Sequence, residues 1–149
     1  MITIKNNQKK ISVSEKKIKE YIKKIIKILG YENFDVGIWL TTNSTIKKYN
    51  KTYRKKNKPT DILSFPFYPD LKPEKKITPK SDDEKNLGDL IISLEYAKKD
   101  AKKFDKTLDE HLKVLLVHGI CHLVGYTHET ERDYKKMQAQ EQYLLKKLN

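Results

Sequence analysis

A chain of 149 residues, 37% apolar and 35% charged, can bury one core and is short for two, and the periodic runs of its apolar residues exclude a disordered chain. Its formal charge of +12 points to a polyanionic partner, nucleic acid before anionic membrane, although lysines on solvated helix faces give the same balance. Cys121, the only cysteine, excludes an internal disulfide. With no apolar run near the roughly 20 residues of a membrane span, and no signal-peptide core in MITIKNNQKK, a soluble cytoplasmic protein is expected.

In chain order, Ile2 and Ile4 alternate with polar residues as a short strand. Ser12 with Glu15 reads as a capping box for a helix whose stripe is Ile18, Tyr21, Ile22, Ile25, Ile26 and Leu29, closed by Gly30. Phe34 to Leu40 has strand character, and Asn43 to Tyr53 looks like a short helix with Ile46 and Tyr49 inward. Asp61 to Phe65 reads as a strand, placed at a sheet edge because Pro66 lacks a donor. Residues 69–86, with three prolines and many charges, are expected to be a flexible loop within a single domain spanning 1–149. A further strand follows Gly88-Asp89 through Leu90, Ile91 and Ile92, and a helix opens at Ser93 or Leu94 and runs to Phe104. Thr107 and Glu110 form a second capping box, starting a helix with Leu108, Leu112, Leu115, Leu116 and Ile120 buried. Thr130 with Asp133 caps a last helix whose Tyr134, Met137, Glu141, Leu144, Leu145 and Leu148 lie at helical spacing.

The most informative stretch is HGICHLVGYTH, His118 to His128. His118 and His122, four apart on a helix, point from one face; Gly125 lets the chain leave the helix, and His128 follows three residues later. Three imidazoles converging in this way suit a divalent metal, zinc first, with a fourth position open to water; other transition metals accept the same donors. His111, two turns earlier on that face, reads better as a partly buried structural residue. Cys121 lies roughly 60° round the helix from His118. It is either a fourth ligand, which would close the site, or a small core side chain, and its apolar surroundings favour the second. The histidine spacing is that of metzincin peptidases, except that Gly119 replaces the glutamate that serves them as general base. A metal still lowers the pKa of bound water to roughly 7, so a nucleophile remains available. The two arginines, Arg54 and Arg132, stand out among 32 cationic residues, because a planar fork of donors suits phosphate.

Taken together, HGICHLVGYTH, NKPTDILSFPF with Tyr53-Arg54 before it, and Asn86-Leu87-Gly88-Asp89 resemble the YbeY family of metal-dependent endoribonucleases, or rRNA maturation factors, from about Asn50 onward. The resemblance implies an α/β (α+β) zincin-like fold, a small mixed four-stranded sheet covered by helices with the metal site on a late helix and the following turn. It implies a cytoplasmic, single-strand-specific endoribonuclease of rRNA maturation (16S 3′ end) and ribosome quality control, whose partners are rRNA, the small ribosomal subunit and its assembly proteins, with zinc and no small-molecule cofactor. Carried over by motif, His118, His122 and His128 are the metal ligands, and Arg54 is the catalytic or RNA-binding arginine. Cys121 and Thr127 depart from the family's usual leucine and aspartate; the second departure removes a carboxylate beside the last histidine. The alternatives are a hydrolase of another class, peptidase- or amidase-like, and a ribosome assembly factor with a structural metal.

Overall fold

In the computed structural model, which describes residues 1–149, the elements run β1 (Ile2–Asn6), α1 (Glu15–Ile28), β2 (Asp35–Thr41), α2 (Asn43–Arg54), β3 (Ile62–Pro66), β4 (Asn86–Ser93), α3 (Leu94–Lys103), α4 (Leu108–Leu123) and α5 (Glu131–Leu148). The four strands form one sheet in the order β1-β2-β4-β3. β1, β2 and β4 are parallel, and β3 pairs antiparallel with β4 at the edge, where Pro66 leaves no ladder donor unmet. The expected mixed α/β architecture of a four-stranded sheet and helices is therefore present.

Alternation along the strands divides the apolar side chains between two faces. Val36, Ile38, Leu40, Leu90 and Ile92 face α1, α4 and α5, and their burial with Ile22, Ile25, Leu116 and Ile120 makes the main core. On the opposite face Leu63 and Ile91 meet Ile46 of α2 in a much smaller cluster. Nine residues of α4 are buried, on nearly every side of the helix, as a helix running through the centre of a core requires. Gly119 permits its approach to the sheet: a Cβ there would stand 2.7 Å from Ile62 Cδ1 and 2.8 Å from Leu90 Cδ2.

The caps follow the sequence with one shift. Thr107 accepts from the Glu110 amide at 3.1 Å while Glu110 reaches back to the Thr107 amide at 2.9 Å, and Thr130 accepts from Asp133. The first helix, however, is capped by Ser14 and not by Ser12. Gln8 bonds both the amide and the carbonyl of Ile11 across a bend at Lys10 and Ile11, and the helix begins at Glu15, behind Ser14.

β4 begins at Asn86, earlier than the apolar run suggests. Gly88, at φ +120°, brings the strand against the Phe65 carbonyl where a Cβ would be 2.2 Å away. Between β3 and β4 the chain contains a short 3₁₀ turn, Asp82–Glu84, and is fastened at several points. Tyr68 donates to the Glu84 carbonyl, Lys76 Nζ donates to the Leu29 carbonyl at 2.7 Å, and the Ile77 amide donates to Tyr31 Oη at 3.2 Å. No helix is long and apolar enough to cross a membrane.

Candidate metal centre

One turn of α4 separates His118 from His122, and the glycine turn after the helix returns His128 to the same point. Gly125 takes φ +104°, a conformation open to glycine, with the Leu71 carbonyl close against it. One nitrogen from each of the three histidines lies within 4.8 Å of the others, a group able to hold a metal ion.

The second nitrogens of two rings are already engaged. His122 Nδ1 is 2.9 Å from the Tyr126 carbonyl, which can only accept, so Nδ1 carries the proton. His118 Nδ1 is 2.8 Å from Glu141 Oε2, and a carboxylate likewise takes that proton. In neutral rings both Nε2 atoms then present lone pairs, and these face each other at 3.1 Å. Two lone pairs at that distance repel unless a proton or a metal cation lies between them. Two nitrogens bound to a tetrahedral zinc at about 2.0–2.1 Å would be roughly 3.3 Å apart, close to the observed separation. Burial, with help from the neighbouring His118, pushes His122 down to about 4, which keeps this ring neutral and its lone pair free. The donor set therefore fits a divalent ion, with Glu141 and the Tyr126 carbonyl fixing ring orientation from behind.

A cleft of about 710 Å³ opens in front of the three histidines, and Arg54, Asp61, Ser64, Lys72, Glu129 and Lys136 also line it. The chain matches the family model described as endoribonuclease YbeY over residues 3–149. The chain belongs to the YbeY family.

Relatives named endoribonuclease YbeY include the human protein, 36% identical over 147 residues and covering 99% of this chain and 87% of the relative. Those of Aquifex aeolicus (38% identical; 95% and 88% covered) and Caldicellulosiruptor bescii (38%; 99% and 96%) are similar at nearly full length. The solution structure of TM1509 from Thermotoga maritima superposes with a TM-score of 0.66 at 25% identity, covering 99% of this chain and 89% of that one.

Against this YbeY-family frame, the residues singled out from sequence fall into three groups. His118, His122, His128 and Arg54 share the cleft, although Arg54 comes from the end of α2 and the histidines from α4 and its turn. Arg132 lies exposed on the first turn of α5, away from the cleft. His111 is buried against Phe104, with ring centroids 5.9 Å apart and neither nitrogen hydrogen-bonded; burial holds its pKa below the usual imidazole value. Cys121 is fully buried in the main core and outside the histidine group, and burial pushes its thiol up to about 12. Thr127 lines the cleft, and His128 has no hydrogen-bond partner, so the carboxylate that supports a histidine here comes from Glu141 of α5 and serves His118 instead.

Glu141, at helical spacing with the apolar residues of α5, is a site residue that no motif marks in the sequence. Its signal was its company: a carboxylate between Met137 and Leu144, both buried, needs a polar partner on the facing element. Gly119 gains a second meaning as well. Its Cα faces Ile62 and Leu90, so a glutamate at this position would be driven into the sheet.

Proposed function

We propose that this protein is a metal-dependent endoribonuclease that holds one divalent ion, zinc first, on His118, His122 and His128. The observation that carries the reading is the convergence of three histidine nitrogens within 4.8 Å, two of them Nε2 atoms 3.1 Å apart with both Nδ1 atoms tied down, beside a cleft that also receives Arg54. An ion bound there supplies Lewis acidity toward a phosphoryl oxygen and lowers the pKa of bound water to roughly 7.

The protein's own side chains do the rest. Arg54 is exposed and makes neither a hydrogen bond nor an ion pair, so its planar fork is free to donate two bonds to non-bridging phosphate oxygens as negative charge grows on them. Lys72 and Lys136 offer point charges to the neighbouring phosphates. Asp61 is occupied as a turn residue, accepting from the Ile62 amide at 2.7 Å, whereas Glu129 lines the cleft beside His128.

Membership of the YbeY family supports a finer reading: a cytoplasmic enzyme that cuts single-stranded rRNA during maturation of the 16S 3′ end and in ribosome quality control, alongside the small subunit and its assembly proteins. The +12 charge agrees with RNA as the substrate class.

Cleavage of a single-stranded RNA by this protein, compared with His118→Ala prepared identically and with chelator added, tests the reading. Equal cleavage by both preparations refutes it. Arg54→Lys should bind RNA nearly as well and cut it much more slowly; an unchanged rate removes Arg54 from the chemistry.

A further inference from the structure

The cleft has a continuation that the histidines do not explain. Register places Thr3, Gly37, Asp89 and Phe65 in one row across the sheet, and Lys5, Trp39, Ile91 and Leu63 in the next, all on the face away from α4. Ile46 of α2 covers Ile91 and Leu63. The first row is left uncovered as a hollow of about 510 Å³, in which the exposed Asp89 lies over Gly37, where an added Cβ would meet its carboxylate at 2.1 Å. Tyr53 and Phe65 line both this hollow and the cleft of the three histidines, so the two are continuous.

Aromatic rings occupy that junction in sequence. Trp39 meets Tyr49 edge to face at 5.4 Å, Tyr49 stacks on Tyr53 at 6.1 Å with an 11° angle between planes, and Tyr53 meets Phe65 at 5.1 Å. Lys5 Nζ lies 4.6 Å from the centre of the Trp39 ring at the far end. Tyr53 is 62% exposed, an unusual setting for a ring already aligned by a neighbour.

The charge beside the rings is equally one-sided. Between Asn43 and Lys58 the chain carries seven lysine or arginine residues and no carboxylate. Within the hollow Asp35 is neutralised by the Met1 amino group, while Asp89 has no cationic partner. Phosphates are thus drawn to α2, while the hollow, where Lys5 and the Met1 amino group offset Asp35 and Asp89, carries no net charge to hold them and leaves its ring faces to a base.

We propose that the open half of this sheet face is a stacking platform for single-stranded RNA. The bases of the strand leaving the cleft lie on Tyr53 and toward Trp39, and their phosphates follow the cations of α2 and its turn. Sequence-tolerant recognition results, since every base offers a face to stack. This platform rests on the endoribonuclease reading for its substrate and adds the path the strand takes.

Trp39 is the only tryptophan, so its fluorescence reports on the platform directly. The protein, stripped of metal to prevent cleavage, is titrated with an oligoadenylate of about eight nucleotides, a length within the span of one such site, and separately with inorganic polyphosphate. The RNA should change the fluorescence and the polyphosphate should not. Tyr53→Ala should weaken RNA binding roughly 5- to 100-fold with the salt dependence kept, and Tyr53→Phe should restore it. Unaltered affinity in Tyr53→Ala, or a Trp39 signal that polyphosphate reproduces, overturns the platform. If the native protein shows the RNA-specific signal yet never cuts RNA, the platform stands and the nuclease reading falls. If it cuts RNA while Tyr53→Ala keeps both KM and affinity, the reverse holds.

Discussion

Replacing Glu141 with alanine leaves His118 Nδ1, 2.8 Å from the carboxylate in the native protein, without its acceptor. The ring then loses both the bond that fixes its tautomer and the negative charge that makes Nε2 a better donor to a metal. Removing such a partner lowers metal affinity by about 10- to 100-fold, or about 1.4–2.7 kcal/mol. Here the side chains of His118 and Glu141 retain 32% and 22% of their exposure, so water takes up part of the lost bond and the lower half of that range applies. Glu141→Gln keeps an oxygen acceptor without the charge and should fall between alanine and the native protein. Affinity is measured by competition between metal-free protein and a chromophoric chelator. If Glu141→Ala binds zinc within about twofold of the native protein, the orienting role drawn for Glu141 is wrong.

Three further changes test the scaffold around the site. Gly119→Ala places a methyl group against Ile62 and Leu90; crowding of about 1–3 kcal/mol exceeds a gain of up to about 1 kcal/mol in helix propensity, so the melting midpoint should fall, and a rise would contradict the packing. In Gly125→Ala the new Cβ would lie 2.6 Å from the Leu71 carbonyl at φ +104°, which should lower both thermal stability and zinc affinity, because the Tyr126 carbonyl behind His122 moves with the turn. Unchanged melting and unchanged affinity together would count against it. Burial, with the hydrogen bond to Asp109, raises the Tyr21 hydroxyl to about 12. A raised folded-state pKa stabilises the protein below about 10, the unfolded value, and that contribution disappears as pH climbs toward 12. The stability gap between native protein and Tyr21→Phe in denaturant titrations should accordingly narrow across that window; a constant gap would refute the assignment.

How much of this was readable in advance depended on distance along the chain. His118, His122 and His128 sit within eleven residues, and helix period plus one glycine bring them together, so local geometry sufficed. Arg54 was noticed because arginine is rare in this chain and because the flanking motif resembles the YbeY family, yet its place in the cleft depends on how α2 and β3 pack, which no local pattern encodes. Glu141 lies 23 residues from the ring it orients, and only the docking of α5 on α4 joins them. Ser12, with Glu15 three residues on, is the better cap on paper; the Gln8 bonds to Ile11 that precede the helix are local, but no capping pattern marks them in the sequence. The strand Asp35–Thr41 was legible as a strand, but not that α2 would cover only part of one face and leave the row of Gly37 and Asp89 without a helix over it.

The bond between His118 and Glu141 also ties the site to the packing of the last helix. Until α5 docks on α4, His118 has no carboxylate behind Nδ1 and one side of the core is bare. The contact that closes the core is thus the one that orients a histidine ring, and local opening of α5 would loosen both together.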